Sequence, residues 1–254
     1  MHYSLRMIAF SVIALGVGAR SVRAQVGSTL ARSSLSDIFR AGGNGAAYHG
    51  PNGPMLDGID PFLVSLAPGT GRVARFAATG QWFEAVGQPS DNFGPDGGPY
   101  PVSNVNSWNR LAGMTGPANL WMVGLFLDNG LPAVAPGRRS YTSADYSLPS
   151  YSDILLGQVF FIGDGLTGTG AGAGLVQSFL VPDGATRLYL GTVDGYIFQG
   201  DPGGYYNNTG TMNVSWDITS GSATTPSTVP EPASLALLST GLLGVGLFAR
   251  RRGT

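Results

Sequence analysis

The chain has 254 residues, with 14 basic and 15 acidic side chains and a formal net charge of −1. Only 11% of residues are charged and none is lysine, which excludes a basic nucleic-acid footprint and a disordered polyelectrolyte. There is no cysteine, which excludes disulfides, thiolate metal sites and a cysteine nucleophile.

The first element is a targeting segment. Arg6 precedes an apolar run over 7–19, and Val22-Arg23-Ala24 supplies a small-x-small ending. This predicts a secretory signal peptide over 1–24, with cleavage after Ala24; an uncleaved N-terminal anchor is the alternative. The apolar run is too short for an ordinary spanning helix.

Residues 25–219 read as one domain, with its ordered part starting near Ser36. Its apolar segments are short and separated by turn residues: 72–82, 119–129, 158–165, 175–184, 186–195 and 211–218. Several alternate with period two, for instance Met212, Val214 and Trp216 against Asn213 and Ser215. Pro-Asp-Gly at 182–184 and Asp-Asn-Gly at 128–130 mark turns. The expected fold is all-β, an antiparallel β-sandwich or jelly roll. Ten per cent aromatic residues support a packed core, and a domain of this size builds one without disulfides.

Little in the domain points to catalysis. His2 falls in the signal peptide, which leaves His49, and no G-x-S-x-G nucleophile elbow occurs. Asp57 with Asp60, or Asp91 with Asp96, offer carboxylate pairs for a glycosidase, but loop aspartates also form turns. Glu84 is the domain's one glutamate. The expectation is a protein that is not an enzyme. The glycine stretch over 163–174 lacks the Lys-Ser/Thr ending of a phosphate loop and reads as a connection between strands.

The stretch DGYIFQGDPGGYYNNTG, over 194–210, is richest in possible chemistry. Ca²⁺ takes about 6–8 oxygen ligands from carboxylates, amide side chains, backbone carbonyls and water. Asp194 offers a carboxylate, Asn207 and Asn208 adjacent amide oxygens, and Gly203 or Gly204 a tight turn that exposes a carbonyl. The residues alone fit either such a cage or a metal-free Gly/Asn hairpin. Tyr196, Tyr205, Tyr206 and Trp82 offer aromatic surface for a sugar, or form a partly buried rim.

A linker over 220–228 leads to Val229-Pro230-Glu231-Pro232, an uncharged run over 233–249, and Arg250-Arg251-Arg252. As a helix, that run would cover about 25 Å, just short of a ~30 Å hydrocarbon core. The arginine cluster places its own side in the cytoplasm. These three parts resemble the PEP-CTERM sorting signal over 229–254. The resemblance implies transient membrane insertion through 233–249, cleavage by an exosortase-type membrane protease, and release at the surface or into the matrix of a Gram-negative, exopolysaccharide-making bacterium.

The central domain resembles the calcium-dependent galactophilic bacterial lectins, which are small jelly rolls. The resemblance rests on TRLYLGTVDG followed by PGGYYNNTGTMNVSWDI, with VARFAATGQWFEAVG, NFGPDG and NLWMVGLFLDNG upstream. It implies Ca²⁺ held by the side chains of Asp194, Asn207 and Asn208 and by backbone oxygens of Gly204 and Glu84, with extracellular polysaccharide as partner. Three features depart from the family pattern. About six residues, YIFQGD, are inserted after Asp194, making Asp201 a further candidate; the sugar-contacting histidine is absent, with Tyr100 and Pro101 nearby; and 137–153 has no counterpart. The alternative is a structural matrix protein with a calcium-stabilised fold, and a glycosidase is third.

Overall fold

The computed structural model describes residues 24–33, 36–43, 47–50, 53–56, 58–83, 92–98, 103–168, 172–195 and 198–220. The predicted signal peptide before Ala24 and the sorting segment lie outside them. The chain divides between Ser220 and Gly221, and the fold belongs to the first unit.

In chain order the strands are β1 (Ala24–Ser33), β2 (Ala47–Gly50), β3 (Gly53–Leu56), β4 (Phe62–Ser65), β5 (Val73–Phe83), β6 (Asn92–Phe93), β7 (Ser103–Val105) and β8 (Met114–Gly116). There follow β9 (Met122–Leu127), β10 (Arg139–Ser140), β11 (Ser150–Tyr151), β12 (Val159–Phe161), β13 (Ser178–Leu180), β14 (Arg187–Thr192), β15 (Gln199–Gly200) and β16 (Thr209–Thr219). Short 3-10 turns stand at Ile38–Gly42, Asp145–Ser147 and Tyr205–Asn207. The chain is all-β, as its period-two patterning predicts.

Two sheets face each other in a sandwich-like arrangement. One runs β1-β16-β5-β13-β11, with β6 against β5; the other runs β12-β9-β14-β4. The long β5–β16 ladder pairs Val73 with Thr219 at one end and Phe83 with Thr209 at the other. Its alternate residues Ala74, Phe76, Ala78 and Trp82 on β5, and Met212, Val214, Trp216 and Ile218 on β16, are buried. From the second sheet Phe160 meets Phe76 at 6.3 Å and Phe179 at 5.6 Å, and Phe62 meets Trp216 at 5.6 Å. Each fully buried Phe contributes roughly 1.5–3 kcal/mol, so this aromatic layer helps hold the sheets together within a larger aliphatic core.

β9 is buried at every residue. It lies between β12 and β14, and the Ile38–Gly42 turn packs against it and against β14 with Ile38 and Phe39 fully buried. That turn and the bridge from Asp37 to Thr192 bring the N-terminal part of the domain over the end of β14.

Two expectations change. The ordered part starts before Ser36: β1 pairs with β16 from Ala24 opposite Thr219, with a register break between Gly27 and Leu30. Its own alternation is weak, and the open edge of β16 supplies the backbone partners that make it a strand. The long ladders are antiparallel as expected, but β10–β8, β11–β13 and β15–β7 are parallel pairs two residues long. These are loop segments laid against sheet edges, and their direction follows the loop rather than a hairpin.

Candidate functional site

β14 ends at Thr192, and two residues later Asp194 turns into the interior, 3% exposed. The chain returns through the 3-10 turn Tyr205–Asn207 and enters β16 after Asn208, itself 2% exposed. The amide nitrogen of Asn208 donates to Asp194 Oδ2 at 2.8 Å, and the Gly195 N–H donates to Oδ1 at 2.7 Å. The Gly203 N–H donates to the Asp194 carbonyl at 3.2 Å. Gly204 opens the turn in the left-handed region, at φ 94°, where a side chain is strained. A Cβ there would stand 3.3 Å from Asp194 Oδ2, so this glycine lets the backbone lie directly against the carboxylate.

Tyr205 holds the turn from inside. Its hydroxyl accepts from the Asp194 N–H at 3.1 Å and has two acceptors for its one proton, the Thr192 carbonyl at 3.2 Å and the side chain of Asp37. Burial, then the negative charges of Asp37 and Asp194, hold its hydroxyl well above the usual tyrosine range, so it stays protonated. Asp37 is fully buried and caps its own turn by accepting from the Phe39 N–H at 2.8 Å. Nothing in the spacing of the chain joins it to Tyr205. The juxtaposition arises because the Thr192 N–H donates to the Ser36 carbonyl at 2.8 Å, beside Gly191, where a Cβ would come within 2.5 Å of that oxygen.

Two oxygens of the site have no donor. Asn207 Oδ1 and Asn208 Oδ1 are buried without a hydrogen-bond partner. Leaving a buried amide oxygen unpaired costs about 1–3 kcal/mol, and here two occur on adjacent residues, one of them bonded to a buried carboxylate through its nitrogen. Among the described residues no group of three or more His, Cys, Asp or Glu side chains stands ready for a metal. The donors offered are instead one carboxylate, two amide oxygens and backbone carbonyls, a set suited to a hard cation.

The structure therefore brings Asp194, Gly204 and Asn208 together, with Asn207 in the adjoining turn. Glu84, Tyr100 and Tyr196 lie outside the described residues. Trp82 and Tyr205 are not a sugar platform, because both are fully buried. Trp82 shares the inward phase of Phe76 and Ala78 on β5, and Tyr205 points under its turn to reach Asp194. Tyr206 is 53% exposed. Asp201 is occupied elsewhere, accepting from Asn106 Nδ2 at 2.9 Å. Gln199 and Gly200, just before Asp201, form β15 and pair with β7.

The other acidic candidates serve structural contacts. Asp60 pairs with Arg40 at 2.7 Å on the surface. Asp96 accepts from the Asp164 N–H at 2.8 Å, and Asp164 Oδ1 accepts from the Leu166 N–H at 2.8 Å. Burial raises the Asp164 carboxyl above the usual range, opposed by its bonds from backbone N–H groups. Asp57 and Asp91 lie outside the described residues.

The PEP-CTERM protein-sorting motif matches residues 228–252. The match takes in Val229, Pro230, Glu231 and Pro232 and the cluster Arg250, Arg251 and Arg252. No curated protein and no solved structure matches the chain. Among the described residues no helix is long and apolar enough to cross a membrane, and 233–249 lies outside them. The motif implies an exported chain whose membrane-anchored precursor is processed by an exosortase, itself a membrane protein.

Proposed function

We propose that this exosortase-sorted chain delivers a calcium-dependent carbohydrate-binding β-sandwich to the cell surface or extracellular matrix, where it engages polysaccharide. The observation that carries the reading is the pair of buried, donor-less oxygens on the adjacent residues Asn207 and Asn208, the second of which is bonded to the Asp194 carboxylate through its amide nitrogen. The amide nitrogen of Asn208 faces that carboxylate. Half a turn of the amide exchanges its nitrogen for its oxygen, an arrangement that repels Asp194 unless a cation stands between them. Asp194, Asn207, Asn208 and the backbone of Gly204 would hold the ion, with Glu84 as a further backbone donor. Bound Ca²⁺ supplies coordination positions that a pair of sugar hydroxyls can complete. Of the candidate aromatics that are described, Tyr206 is the exposed one and would lie against a sugar ring. The resemblance to galactophilic lectins agrees with this donor set, while the missing histidine leaves galactose itself without support.

A second reading has its own observation. The burial of Trp82 and Tyr205 removes two of the aromatics a sugar platform would use, which favours a matrix protein whose fold calcium stabilises. Both readings need the ion, so the test begins there. Ca²⁺ should raise the unfolding temperature of the protein relative to EDTA, and the double variant Asn207→Ala/Asn208→Ala should lose the rise. At a hundred times Kd the expected gain is about 2.7 kcal/mol. An undiminished gain in the double variant removes these residues from the site. Calcium-dependent retention on a polysaccharide column then separates the lectin from the matrix protein.

A further inference from the structure

We infer that Asp37 is a positioning residue of the 194–208 site: it fixes, through Tyr205, the turn that presents Asn207 and Asn208, and it adds a second buried negative charge to the site. The inference rests on the calcium reading above and assigns a role to a part of the chain outside the lectin resemblance.

Three observations meet at Tyr205. Asp37 and Asp194 are both buried, at 0% and 3% exposure, and both act on the same hydroxyl. Asp37 is bridged to Thr192, whose carbonyl takes the Tyr205 hydroxyl, and Asp194 follows two residues later with its N–H on that hydroxyl oxygen. The first turn from Tyr205 leads directly to Asn207 and Asn208. A shift of Asp37 therefore moves the tyrosine that sets both the Asp194 backbone and the amide-bearing turn. The second effect is electrostatic. Two carboxylates brought into one low-dielectric region repel each other, and a divalent cation is attracted by both. Asp37 thus works against the site when it holds no ion and for it when it does.

That opposition gives a signature that packing alone would not. Asp37→Asn keeps a side-chain oxygen for the Phe39 N–H, because Asn caps turns as well as Asp does. It removes the charge and leaves an amide in place of the carboxylate that faces the Tyr205 hydroxyl. In EDTA the unfolding midpoint of Asp37→Asn in the full chain, held in detergent, should equal or exceed that of the parent. In a titration with Ca²⁺ alone, its affinity should fall about 10–100-fold, the usual effect of losing a group that orients metal ligands. Tyr205→Phe, which keeps the ring and loses the hydroxyl, should weaken Ca²⁺ in the same direction.

A parent that binds Ca²⁺ beside an Asp37→Asn variant of equal affinity overturns this inference and leaves the calcium reading standing. A parent that does not bind Ca²⁺ overturns both. Equal loss of midpoint in EDTA and in Ca²⁺ assigns Asp37 to packing and also overturns it. If Asp37→Asn does not fold, the decision passes to Tyr205→Phe, and unchanged affinity in that folded variant is the overturning result.

Discussion

Two glycine-rich loops of this protein each carry a buried aspartate, and they treat it differently. In the loop from Gly163 to Gly174, Asp164 and Asp96 find backbone donors: Leu166 N–H on Asp164, and Asp164 N–H on Asp96. In the stretch from Asp194 to Asn208, backbone and side-chain donors reach the carboxylate, yet two neighbouring amide oxygens are buried with none. The first loop uses its carboxylate to close a turn. One Asp96 oxygen, Oδ2, is also buried outside these bonds, so what sets the second stretch apart is its pair of adjacent asparagine oxygens without donors, on residues that flank a bonded carboxylate.

The comparison can be broken most forcefully at Gly163. Its φ is 59°, and a Cβ there would fall 2.1 Å from Asp96 Oδ1. Gly163→Ala should cost about 2–5 kcal/mol from left-handed strain and overpacking combined. Urea unfolding should show the same loss with EDTA and with Ca²⁺; a loss that calcium restores would make this loop an ion site too. Next in size is Asp194→Asn. It should remove the calcium gain of about 2.7 kcal/mol at a hundred times the parent's Kd, while changing the midpoint in EDTA far less. A retained gain would show that the asparagine oxygens do not act with this carboxylate.

The smallest effect belongs to Asp164. Its folded pKa is raised above the unfolded value, so the group favours the folded state below its unfolded pKa, and that contribution is lost as pH rises through the folded pKa. Asp164→Asn keeps an acceptor for Leu166 and removes the charge. It should be slightly more stable than the parent at pH 7, with the advantage shrinking below the ordinary carboxylate range. A variant less stable at pH 7 would mean that the charge of Asp164, and not only its oxygen, closes the loop.

Much of the sandwich was legible because its strands alternate cleanly. Met212, Val214, Trp216 and Ile218 mark β16 and its inner face without any knowledge of its neighbours. β1 was not legible, since its strand character comes from the edge of β16 rather than from its own residues. Within the site, Asp194, Asn207 and Asn208 could be named because they flank one short stretch. Asp37 could not: Ser-Asp-Ile-Phe carries the signal of a turn cap, and its second partner, Tyr205, is far along the chain. Trp82 shows the opposite failure. As one of the candidate aromatics it is offered to a sugar or to a partly buried rim, but the phase it shares with Phe76 and Ala78 turns it fully inward.

β16 also carries a mechanical consequence. Asn208 precedes its first residue, and the chain leaves the described fold at Ser220, just after its last. At about 3.4 Å per residue, the eleven-residue strand spans roughly 34 Å between the two. A protein held by its tail while a polymer pulls on the site would carry the tension along this one strand. The pull would run parallel to β16 and load its rungs to β1 and β5 in shear, so that they resist together instead of unzipping one by one. In that case the same backbone that presents the amides would be the tether between the two points of load.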